Sequence, residues 1–164
     1  MNHHTNNIYL SPAKSLMFIS VLSVLMVVVA YLILLINLNH GMLILLSSIL
    51  PIFGAKIAGL QFKRLIPDII FGSIDTGLLT IAALIGASSF GILGAIIGGV
   101  VGDAVTDGIA GFFEGAISEW LRSIGIDESR TALGSYCGKM TGCLIGSGLV
   151  LLCSSPINLH LFNQ

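Results

Sequence analysis

Four acidic side chains stand in stretches where an acid is expensive. Asp103, Asp107 and Glu114 fall within residues 90–122, a run otherwise apolar enough to enter a bilayer. Each residue of an α-helix turns the chain by about 100°, so relative to Asp103 these acids sit at roughly 0°, 40° and 20°, one narrow stripe. An ionisable group at bilayer depth costs at least about 2.5–3.5 kcal/mol, so a stripe of them requires a compensating partner. The fourth acid, Asp75, lies midway along the preceding apolar stretch, near Ser73, Thr76 and Thr80. Carboxylates and hydroxyls are hard oxygen donors suited to Ca²⁺, Na⁺ or Mg²⁺, whereas no inward His and no Cys pair stands near for zinc or copper. The residues therefore predict a metal-cation site of Asp75, Asp103 and Asp107, with Glu114, Ser73, Thr76 and Thr106 along the same path. The other reading has the acids protonated, serving as a proton relay or as hydrogen-bond partners.

The elements that must hold these acids follow from composition. The chain has 164 residues, 55% hydrophobic and 9% charged, with mean hydropathy +1.00. Soluble domains carry about 25% charged residues, so the chain reads as an integral membrane protein in a lipid bilayer, all α, with no separate soluble domain. A net charge of −1 with no basic run excludes a nucleic-acid footprint. Five membrane helices are predicted, at about 16–38, 42–60, 67–86, 90–122 and 131–153. Residues 1–62 form a two-helix membrane segment, 63–155 the three-helix ion-binding core, and 156–164 a polar tail. The first helix is too long for a signal-peptide core and is read as uncleaved. Pro51 is expected to kink the second helix. Pro67 and Asp68 are expected to open the third, Asp68 serving the positive end of its dipole. A tight turn at 87–89 makes the third and fourth helices an antiparallel hairpin, and counting outward from it puts Asp75 level with Asp103. Lys14, Lys63, Arg64, Arg122 and Arg130 all fall on one side if the N-terminus is cytoplasmic and the C-terminus outside. Trp120 suits an interfacial anchor.

Glycines recur every fourth residue at Gly94, Gly98 and Gly102, and again at Gly134, Gly138, Gly142 and Gly146. Such rows let helix backbones approach closely. Lys139, the one basic residue inside the last three spans, falls at the depth of Glu114 and predicts an ion pair with it. Cys137, Cys143 and Cys153 have neither metal nor redox spacing and read as small buried residues. No nucleophile with a base lies at membrane depth, so neither an enzyme nor a bound cofactor is expected.

The phrases Phe71-Gly-Ser-Ile-Asp75, Gly91-Ile-Leu-Gly94, Gly102-Asp-Ala-Val-Thr-Asp107, Phe113-Glu114 and Gly138-Lys-Met-Thr-Gly142 resemble the transmembrane protein sixty-five family over about residues 71–152. That family is associated with sodium-dependent calcium efflux at the mitochondrial inner membrane. The resemblance implies a membrane cation transporter moving Ca²⁺ against Na⁺ or H⁺, with Asp75, Asp103, Asp107 and Glu114 in the ion path. Asp103 stands where the mammalian pattern has Asn, an additional acid, and Thr76 replaces an amide. Residues 71–80 also bear a fainter likeness to vacuolar iron transporters, which would imply iron or another divalent metal. A bacterial-type inner (plasma) membrane is the expected location, or the mitochondrial inner membrane in a eukaryote. Ca²⁺ takes six to eight oxygens, so a homodimer or glycine-exposed carbonyls would complete its shell. The competing class is a structural or assembly membrane protein that offers its glycine faces to a partner.

Overall fold

The computed structural model describes residues 11–36, 38–123 and 131–161, with the side chains of 113–122 and 155–161 outside the description. The described residues form helices and connecting turns, with no strand. They are α1 (Pro12–Leu35), α2 (His40–Ser47), α3 (Ile49–Ile57), α4 (Phe62–Ser123) and α5 (Ala132–Leu161). Four segments are long and apolar enough to cross a membrane: Pro12–Leu35, His40–Ile57, Phe62–Phe112 and Ala132–Ser154. Large apolar side chains cover the outside, among them Val27, Leu34, Ile92 and Phe112. Composition and surface together mark an integral membrane protein.

Several boundaries differ from expectation, each for a local reason. Pro12 occupies the first turn of α1, where its missing N–H costs nothing, so the helix starts ahead of Leu16 and closes at Leu35. The Asn39 side chain accepts from the Met42 N–H at 3.2 Å and starts α2 at His40. The second span then breaks at Ser48, one turn ahead of Pro51, because a proline ring disturbs the carbonyl four residues back. Gly59, at φ +73°, ends α3: its N–H bonds Lys56 O and the Leu60 N–H bonds Ala55 O, both at 3.0 Å. With α3 closed that way, α4 begins at Phe62, not at Pro67, which lies inside the helix. Asp68 is therefore not a helix-start residue. α5 runs on to Leu161, past the expected end at Cys153.

The hairpin turn is at Phe90–Gly91 and not at 87–89. Gly91 has φ +62° and ψ −143°, a combination open essentially to glycine alone, and it folds α4 into two limbs, α4a (62–89) and α4b (92–123). Gly86 lies against Gly94, Gly98 against Ala82, and Gly102 against Leu79, so the limbs run antiparallel with backbones in contact. α5 packs on another side of α4a: Gly138 meets Leu65 and Asp68, Gly142 meets Ile69 and Ser73, and Gly146 meets Ser73. That pairing makes α5 parallel to α4a. Gly41 against Leu151–Leu152 and Gly148 against Leu45 set α2 antiparallel to α5. Gly134 meets its own Thr131 hydroxyl and, more distantly, Leu65.

The small core sits between α1, α3, α4a and α5: Leu22, Ala55, Leu65, Leu133 and Cys137, flanked by Phe18, Ile19, Tyr136 and Met140. Residues on both sides of the expected boundary at 62/63 share it. The Ser23 and Tyr136 hydroxyls lie 2.6 Å apart, tying α1 to α5. Ser73, Thr80, Thr141 and Ser147 donate to carbonyls four residues back in their own helices. This satisfies the hydroxyls without a partner helix.

Candidate cation site

On α4b every fourth residue from Gly94 turns inward: Gly94, Thr106 and Ala110 are buried, Gly98 and Gly102 half-buried. Asp103 and Asp107 stand one position round from this row and are exposed. Asp75 projects from α4a at the same level. It lies fifteen residues before Phe90, while Asp103 and Asp107 lie twelve and sixteen after Gly91. The hairpin therefore brings the three together: one carboxylate oxygen from each lies within 4.8 Å of the others. Oxygens at that separation can contact a single cation at the 2.3–2.6 Å typical of calcium.

Asp75 is half-buried, and its Oδ1 is shut from solvent with no hydrogen-bond partner among the described residues. A buried acceptor left unpaired costs about 1–3 kcal/mol, more when charged, so this oxygen calls for a cation or a proton. The row carrying Asp103 and Asp107 has Gly99 one turn above and Gly111 one turn below. No side chain of that row crowds the carboxylates from either end, and a Cβ at Gly111 would meet nothing within 4 Å.

The hydroxyls divide. Thr106 is buried between the two α4b acids and donates to Asp103 O at 3.2 Å, leaving its oxygen lone pairs free to accept. Thr76 is half-buried, next to Asp75 in the chain, and its carbonyl accepts from Thr80 at 2.7 Å. Ser73 belongs to the other side of α4a. Its backbone lies against Gly142 and Gly146, and its hydroxyl donates to Ile69 O at 2.8 Å. The Glu114 side chain lies outside the described residues, and with it the expected Lys139–Glu114 pair. The Lys139 ammonium is found 5.6 Å from the centroid of the Phe71 ring.

Asp68, expected from sequence to start a helix, is only 4% exposed. Ser135 of α5 donates to its Oδ2 at 3.1 Å, and Gly138 leaves room for its Cβ. The serine and glycine three apart on α5 were the available signal: a short donor beside a gap that fits a carboxylate. In comparisons with family models, curated proteins and solved structures, the chain finds no match.

Proposed function

We propose that the protein is a membrane cation transporter in which Asp75, Asp103 and Asp107 bind the transported ion, Ca²⁺ exchanging against Na⁺ or H⁺. The observation that carries the reading is the convergence of three carboxylate oxygens within 4.8 Å, inside segments otherwise apolar enough to span a bilayer. The buried Asp75 Oδ1, which has no hydrogen-bond partner among the described residues, adds to it. Hard oxygen donors favour Ca²⁺, Na⁺ or Mg²⁺ over soft metals. The likeness to the transmembrane protein sixty-five family points the same way, and an iron or other divalent cargo is the further alternative. The fold-back at Phe90–Gly91 supports five crossings, and the basic residues favour a cytoplasmic N-terminus.

The competing structural or assembly reading needs glycine faces free for a partner. Gly94, Gly98 and Gly102, like Gly138, Gly142 and Gly146, are instead occupied by α4a within the chain, which favours the transporter. The test is ⁴⁵Ca²⁺ flux in proteoliposomes under a Na⁺ or pH gradient. The wild type is expected to exchange, with Asp103→Asn and Asp107→Asn each losing most of the rate. Flux that is absent, or equal in all three proteins, rules the exchanger out.

A further inference from the structure

We infer that the acid-bearing face of α4b is the seam of a homodimer, in which a second copy completes the cation shell begun by Asp75, Asp103 and Asp107. This rests on the cation-site reading and names what covers its open side. Asp103 and Asp107 lie twelve and sixteen residues beyond Gly91. At 1.5 Å per residue they are about 18 and 24 Å from the hairpin turn, inside a hydrocarbon core about 30 Å thick. Both are nevertheless exposed. Exposure suits Val100, Val105 and Ile109 of the same limb, which can face lipid. It does not suit a carboxylate, to which lipid tails offer neither hydrogen bonds nor countercharge.

The chain by itself leaves the site half built. One oxygen from each acid converges within 4.8 Å, about half of the six to eight that calcium takes. On the inner side Asp75 Oδ1 is shut from solvent, with no hydrogen-bond partner among the described residues. The outer side is open and flanked by residues without bulk. Ala104 is exposed beside Asp103, and Gly111 stands one turn beyond Asp107. Contact with α4a explains Gly94, Gly98 and Gly102, whereas a Cβ at Gly111 would meet nothing within 4 Å. Small residues beside polar ones are what close helix contact in lipid requires.

A second copy fits this face because it supplies oxygen donors at the same depth, which an apolar partner does not. Copies inserted in one orientation pair about a two-fold axis along the membrane normal, so each acid level meets its own counterpart. Six carboxylates then hold two cations, each ion drawing further oxygens from the neighbouring copy. Without cations the two clusters repel, so the pairing depends on the ion. No covalent step is involved.

The experiment measures the mass of the detergent-solubilised full chain by light scattering, in saturating Ca²⁺ and in EGTA, with equilibrium ⁴⁵Ca²⁺ binding on the same samples. Wild type is expected to be dimeric in Ca²⁺ and to shift severalfold toward monomer in EGTA, because an ion held by the dimer stabilises it. Asp107→Asn should be monomeric in both. In vesicles, with the native cysteines replaced, Ala104→Cys should oxidise to a cross-linked dimer in Ca²⁺, whereas Val27→Cys, exposed on α1, should not. Wild type that binds Ca²⁺ as a monomer overturns the seam and leaves the cation site standing. A dimer equally abundant in EGTA or in Asp107→Asn, or a cross-link at position 27 and not at 104, does the same. No Ca²⁺ binding by wild type overturns both. Should the cysteine variants fail to fold, the wild-type masses decide.

Discussion

At the scale of single residues, the buried Asp75 Oδ1, without a hydrogen-bond partner among the described residues, makes the sharpest demand on the chemistry. If a cation answers it, Ca²⁺ should raise the thermal unfolding midpoint of the wild type in detergent and leave Asp75→Asn unchanged. A ligand at a hundred times its Kd adds about 2.7 kcal/mol to stability, well within reach of a melting experiment. Equal shifts in both proteins would place Ca²⁺ elsewhere, on headgroups or surface acids. The acids could be picked out of the sequence because a carboxylate in an apolar run is costly until something pairs with it. Their supporting hydroxyls were harder to read. Ser73 and Asp75 are two residues apart, but that step turns a helix by roughly 200°, enough to hand Ser73 to α5. Asp68 departs from the expected helix-start role because Gly59 and Phe62 set the start of the helix, upstream of Pro67.

At the scale of elements, the site depends on how closely α4a and α4b approach. Gly98→Val should part the limbs at Ala82, where even a Cβ would meet backbone, and flux should fall with stability. Gly108→Ala is the control, because a Cβ there meets nothing within 4 Å. It should be neutral or stabilising by about 0.5–1 kcal/mol, since alanine suits a helix interior better than glycine. Gly91→Ala forces an L-residue into φ +62°, ψ −143°, at an expected cost of about 1–3 kcal/mol in thermal unfolding. The hairpin could be expected from sequence because two apolar runs flank a short small-residue segment. Its turn was displaced to Phe90–Gly91 because serines and alanines continue a helix readily, whereas only glycine adopts the reversing geometry.

At the scale of the whole molecule, α5 binds the bundle together, touching α1, α2, α3 and α4. The five-crossing proposal places the α3–α4 turn around Gly59 on the same side as residues 124–130, and Asn39 and Gly91 on the other. Single cysteines at Gln61 and Ser89, in a background with the three native cysteines replaced, should label from opposite sides of intact vesicles. Labelling from the same side would refute the fold-back across the membrane. The sequence by itself determined that this is a helical membrane protein, and that acids at matched distances from one turn share a depth. Both follow from local quantities, hydropathy and rise per residue. Only the tertiary structure decided which faces meet. Backbone contact at the glycines turns Asp75 toward Asp103 and Asp107, buries Asp68 against Ser135, and carries Lys139 to Phe71. Rotation of one helix about its axis changes all of these while leaving every local preference satisfied.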